Sequence, residues 1–112
     1  MTDPIRGKTL RWTFDDGPTA GKTFEHTFDD DGNVTWRMVG PDGGGGGKPA
    51  PKEHYEAVKV HSDVYAVSYL ASSGYTLTAV LDFRIGSVVG FASNEKQLTV
   101  QHGSFEAVGA QA

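Results

Sequence analysis

Cysteine is absent from all 112 residues, which excludes disulfides, thiolate nucleophiles and cysteine-ligated metals together. Long apolar runs are missing as well. No segment approaches the ~20 residues that a membrane-spanning helix requires, and the opening MTDPIRGKTLRW has no apolar stretch of the signal-peptide kind. A cytoplasmic protein without a membrane partner is the expectation. Positive charge is scarce: ten Lys and Arg face fourteen Asp and Glu, giving a formal net charge of −4. The ten are scattered, so the basic stripe that nucleic acid would favour does not form. Helical periodicity is also wanting, because apolar residues never recur at i, i+3, i+4 and i+7 for long enough to make an amphipathic helix.

Short segments rich in Val, Thr and aromatics are what the chain has in quantity. TLRWTF, GKTFEHTF, NVTWRMV, EHYEAVKV, DVYAVSYL, YTLTAVLDF, GSVVGFAS and QLTVQHGSFEAV read as strands, most of them alternating with a period of two. DDGP, DDDGN, HSD, SSG, RIG and SNEK supply the turns between them. Eight short strands on short hairpins suit a single all-β domain over residues 1–112, an antiparallel up-and-down β-barrel that leaves no open edge. A two-sheet sandwich is the alternative. A barrel of this size holds packed side chains or one small ligand.

The stretch GPDGGGGGKPAPK invites a phosphate-loop reading and does not meet its terms. That loop needs G-x-x-x-x-G-K-S/T at the start of a helix. Here Pro49 follows Lys48, and Asp42 stands where the first glycine should be. GPTAGKT fails by one residue, since Gly17 lies too close to Gly21. Residues 40–52 therefore read as a flexible hairpin connection, able at most to act as a lid. The acidic run Asp29-Asp30-Asp31 does not make a calcium loop either: Gly32 comes too early, and Gly40 occupies the place of the closing Glu. Neither a metal nor a cofactor is expected.

Alternation along the strands nominates an interior. Leu10, Trp12 and Phe14 share a face of the first strand, Phe24, His26 and Phe28 of the second, and Val34, Trp36 and Met38 of the third. Tyr65, Val67 and Tyr69 follow, then Leu77, Ala79, Leu81 and Phe83, then Val89 with Phe91, and Leu98, Val100 and His102. If these faces turn inward, Trp12, Phe14, Phe24, His26, Trp36, Met38, Tyr65, Tyr69, Phe83, Phe91 and His102 wall an apolar lumen with a few polar groups. That is the usual form of a small-molecule site. Three uses compete. The lumen can bind an apolar or aromatic molecule, it can serve a cofactor-free isomerase, cyclase or lyase with His26 or His102 as acid or base, or it can be filled solid. His54 and His61, near strand ends, are expected in solvent.

From about Thr9 to Phe105 the chain resembles the lipocalin-like (calycin) superfamily that includes the MoaF-like proteins and, more distantly, the phenolic acid decarboxylases. WTFDDG, GKTFEHTFDDDGNVTWRMVG and DVYAVSYLASSGYTLTAVLDF carry the likeness. The resemblance implies an eight-stranded calycin-type barrel with its site in the lumen, often in a homodimer. The decarboxylase residues do not carry over. Trp12 and Phe14 replace the paired tyrosines that grip the substrate carboxylate, Ala71 stands at the catalytic Glu, and Phe24 at a further tyrosine. Ungapped counting for the arginine reaches Lys48 inside the glycine run, and the long C-terminal extension of those enzymes has no counterpart. Phenolic acid decarboxylation is not the expected activity.

Overall fold

The computed structural model describes residues 5–40, 48 and 50–108. Its strands are β1 (Thr9–Phe14), β2 (Thr23–Phe28), β3 (Asn33–Val39), β4 (Glu53–His61), β5 (Val64–Leu70), β6 (Thr76–Asp82), β7 (Ser87–Ser93) and β8 (Leu98–Val108). Each pairs antiparallel with its neighbour in sequence, and β8 returns to β1, so the sheet is a closed barrel. The fold class read from alternation is the one observed, and the sandwich alternative falls. The glycine run Gly43–Gly47 lies outside the described residues.

The acidic turn between β2 and β3 shows why Asp-rich hairpins form here without a ligand. The Asp29 carboxylate accepts from the backbone N–H groups of Asp31 and Asn33, and Lys52 pairs with its second oxygen at 3.2 Å. The turn consumes its own acid. The weakest seam is β3–β4, where only Asn33↔His54 and Val34↔Glu53 are in register. Ala50 N–H donates to the Trp36 carbonyl at 2.7 Å, and the Thr35 hydroxyl donates to Ala50 O, which extends the contact upward.

Burial separates the two faces of the wall. On the outer face of β8, β1, β2 and β3, a charge ladder runs Glu106–Arg11–Glu25–Arg37, with contacts of 3.0–3.3 Å. Its members sit directly opposite one another in register, so each sign meets the other across a strand. Threonine pairs Thr9–Thr27 and Thr13–Thr23 flank it. Inside, Ile5, Leu10, Phe28, Val34, Tyr55, Leu81 and Val88 are buried and close one end of the barrel. Burying these side chains is the main favourable term in folding.

Two strands turn opposite faces inward from those the sequence suggests. On β7 the inward row is Val88, Gly90 and Ala92, with Val88 1% exposed, whereas Phe91 is 38% exposed. On β8 the inward row carries Gln101, Gly103 and Phe105, so Leu98, Val100 and His102 face out. The cause is space. An added Cβ at Gly90 would meet the Phe14 ring at 3.0 Å, and one at Gly103 would meet the Thr13 carbonyl oxygen at 2.0 Å. At Gly90 and Gly103 the inward row lies against β1 so closely that a side chain has no room.

Candidate functional site

Above the packed end, the barrel keeps a cavity of about 170 Å³. It lies toward the β1–β2, β5–β6 and β7–β8 hairpins. Aromatic rings make most of its wall: Trp12 and Phe14 from β1, Phe24 from β2, Trp36 from β3 and Tyr69 from β5. Val67, Leu77, Ala79, Gly90 and Ala92 complete the apolar lining, with Thr78 and Phe91 bordering it from the β6–β7 wall. Phe14 meets Phe24 edge-on at 6.1 Å between centroids, and Phe24 meets Trp36 in the same way at 5.7 Å. Such edge-to-face contacts hold the rings in fixed orientations. The small inward residues of β6 and β7 are the reason the space is left open.

Two polar pairs border this cavity. At depth, His26 stacks on Trp12 with centroids 3.8 Å apart, and its Nε2 lies 3.0 Å from the Tyr69 hydroxyl. Both residues are buried, at 4% and 6% exposure. Burial among rings disfavours the imidazolium and lowers the His26 pKa from 6.5 to about 3, so the ring is neutral. Desolvation raises the Tyr69 pKa, helped by the negative charge of Glu53, so the phenol keeps its proton. His26 Nδ1 is buried and has no partner among the described residues.

The second pair is at the entrance. Gln101 points inward from β8, its amide donating to the Thr19 hydroxyl and its oxygen accepting from Thr19 N–H at 3.3 Å. Thr19 belongs to the β1–β2 loop, which leans across to β8. Asp15 N–H donates to the His102 carbonyl at 2.7 Å. Asp16 accepts from His102 N–H at 2.7 Å, and its other oxygen lies 2.9 Å from His102 Nδ1. Those bonds to His102 lower the Asp16 pKa. Gly17 and Gly21, at φ 79° and 82°, give the loop the left-handed turns it needs.

The sequence-nominated residues therefore divide. Trp12, Phe14, Phe24, His26, Trp36 and Tyr69 converge on the cavity, and Phe91 reaches it only from the outer row. Met38 keeps inward parity but sits at the strand end, 43% exposed. Tyr65 and Phe83 pack on each other at 6.0 Å, and Phe83 on Phe105 at 5.0 Å, away from the cavity lining. His102 is not interior at all: its side chain is 60% exposed and fastens the loop through Asp16. Gln101 and Thr19 are not legible in the strand pattern, because a glutamine flanked by Val100 and His102 looks like the polar face. Gly103 two residues on, marking a close backbone approach, was the available signal.

Residues 1–97 match the family model of the MoaF N-terminal domain. A crystal structure described as "a putative beta-lactamase from Burkholderia vietnamiensis" is similar in fold, with a TM-score of 0.74 at 25% identity over 96% of this chain and 99% of that one. No curated protein matches the chain. With most of its length inside that family model and its strands closed into the barrel described above, the chain belongs to the MoaF N-terminal domain family.

Proposed function

We propose that this protein is a small-molecule-binding barrel that takes an apolar, single-ring ligand into its lumen. The observation that carries the reading is the aromatic-walled cavity of about 170 Å³. Comparable engineered apolar cavities of about 150 Å³ stay dry and accept benzene. Catalysis by the two nominated histidines has less support. A base with a pKa of about 3 is poorly matched to neutral pH, and the neutral ring has no imidazolium proton to give. His102 lies outside the lumen. The beta-lactamase description belongs to the Burkholderia protein; among the described residues no serine or lysine side chain lines the cavity.

Titration with α-methylstyrene, followed by calorimetry and by Trp12 and Trp36 emission, tests the reading. The expected result is saturable one-to-one binding with a change in emission, since both indoles line the space. Ala79→Leu should fill the cavity from β6 and weaken binding by more than about tenfold, at a stability cost of about 1–3 kcal/mol from overpacking. Failure of the wild-type protein to bind, or full affinity in the filled variant, would sink the proposal.

A further inference from the structure

Resting on that lumen-binding reading, we infer that the cavity selects an uncharged aromatic molecule carrying a hydrogen-bond acceptor such as a ketone oxygen, received by the Tyr69 hydroxyl with His26 behind it. Tyr69 carries one O–H donor, neutral His26 carries one N–H donor, and a single contact of 3.0 Å joins them. One donor is therefore always left over.

If the phenol donates to Nε2, the surplus is Nδ1–H, which is buried with no partner among the described residues. If Nε2–H donates to the phenol oxygen, the surplus is the phenol hydrogen, on a residue that lines the cavity. A buried donor without an acceptor is costly, and more so than a bare acceptor atom. A ligand oxygen beside Tyr69 relieves that cost by selecting the second arrangement: His26 donates to Tyr69, Tyr69 donates to the ligand, and Nδ1 is left as a bare lone pair. The Thr19–Gln101 pair makes no such demand, because Thr19 is only half-buried at the entrance, where water can accept the hydrogens left over from their two mutual bonds.

Charge is excluded by the same surroundings. Among the described residues no Asp, Glu, Lys or Arg lines the cavity, so an ion would enter unpaired at a large desolvation cost. Tyr69 feels the negative charge of Glu53, which opposes a carboxylate in particular. Ring stacking surfaces at Trp12, Phe24 and Trp36 favour an aromatic body.

Acetophenone and α-methylstyrene have the same shape and differ in C=O against C=CH2. Their affinities for the wild-type protein and for Tyr69→Phe, measured by calorimetry at pH 7, form a closed comparison in which ligand hydrophobicity cancels. Loss of the phenol should weaken acetophenone by roughly three- to tenfold more than it weakens α-methylstyrene. The C=O stretch of acetophenone bound to the wild-type protein should lie below its value in hexane, and this second readout decides the matter if Tyr69→Phe does not fold. Equal effects of Tyr69→Phe on both ligands, an unshifted stretch, or benzoate binding as tightly as acetophenone would overturn the inference and leave lumen binding intact. Absence of binding by either neutral ligand would overturn lumen binding itself.

Discussion

Lowering the pH from 7 to 4 is expected to remove about 3 kcal/mol of folding stability, and His26→Gln is expected to abolish most of that loss. In the unfolded chain His26 takes up a proton near pH 6.5, whereas in the barrel it does so only near pH 3. Between those values the unfolded state binds more protons, so stability rises with pH and falls on acidification. Below about pH 3 both states are protonated and this contribution stops changing. The lowered carboxylates of Asp16, Asp29 and Asp82 act in the same direction. Their ordinary value is 3.8, so most of their effect falls below the window in question. Glutamine keeps a donor and an acceptor for Tyr69 but cannot titrate, which isolates the imidazole. Urea unfolding at pH 7, 5.5 and 4 reads the slope directly. Equal slopes in the two proteins would mean that protonated His26 finds water or a counter-charge inside the barrel.

How far the sequence could anticipate this is clearest strand by strand. β1, β2 and β3 separate their residues cleanly, with threonines and charges on one parity and large apolar groups on the other, while on β5 and β6 some apolar residues (Val64, Leu70, Val80) share the outer parity. For TLRWTF and TFEHTF the inward rows follow from alternation alone, and with them Trp12, Phe14, Phe24 and His26. SVVGFAS and LTVQHGSFEAV carry apolar residues on both parities, and there the rule that the larger side chain goes inside fails. Which parity faces inward on those strands depends on how close β1 comes to them, a distance between residues about ninety positions apart. Phe91 and His102 were misplaced for that reason. The entrance pair is hidden for a related one: Thr19 and Gln101 meet only after the barrel has closed. The loop 15–22 reads as a plain Asp-Gly turn, and its attachment to β8 through Asp16 and His102 is tertiary in origin. The closed topology was legible because hairpins are local. The occupancy of the interior was not, since it is decided between strands far apart in sequence.

Gly103→Ala should be the most damaging single added methyl group among the described glycines, costing more than about 4 kcal/mol or preventing folding altogether. Gly103 stands opposite Phe14 on one side and Val88 on the other. A Cβ there would lie 2.0 Å from the Thr13 carbonyl oxygen, 2.9 Å from the Thr13 carbonyl carbon and 2.9 Å from Phe14 Cα. All three are backbone atoms, so no rotamer change relieves the overlap. Relief requires β1 and β8 to separate, and that seam is what closes the sheet. It also carries the Asp15 and Asp16 bonds to His102 that hold the entrance loop. Gly90→Ala is the natural control. Its Cβ would meet only the Phe14 ring, at 3.0 and 3.1 Å, and a ring at the cavity edge has room to turn. That variant should lose about 1 kcal/mol and fold normally. It should still bind α-methylstyrene more weakly, because Phe14 would swing into the space the ligand uses. Denaturant midpoints of the two variants separate the cases. A Gly103→Ala protein as stable as Gly90→Ala would mean that β1 and β8 can part at this point without cost, and the close seam would no longer explain why β8 turns Gln101 rather than His102 to the interior.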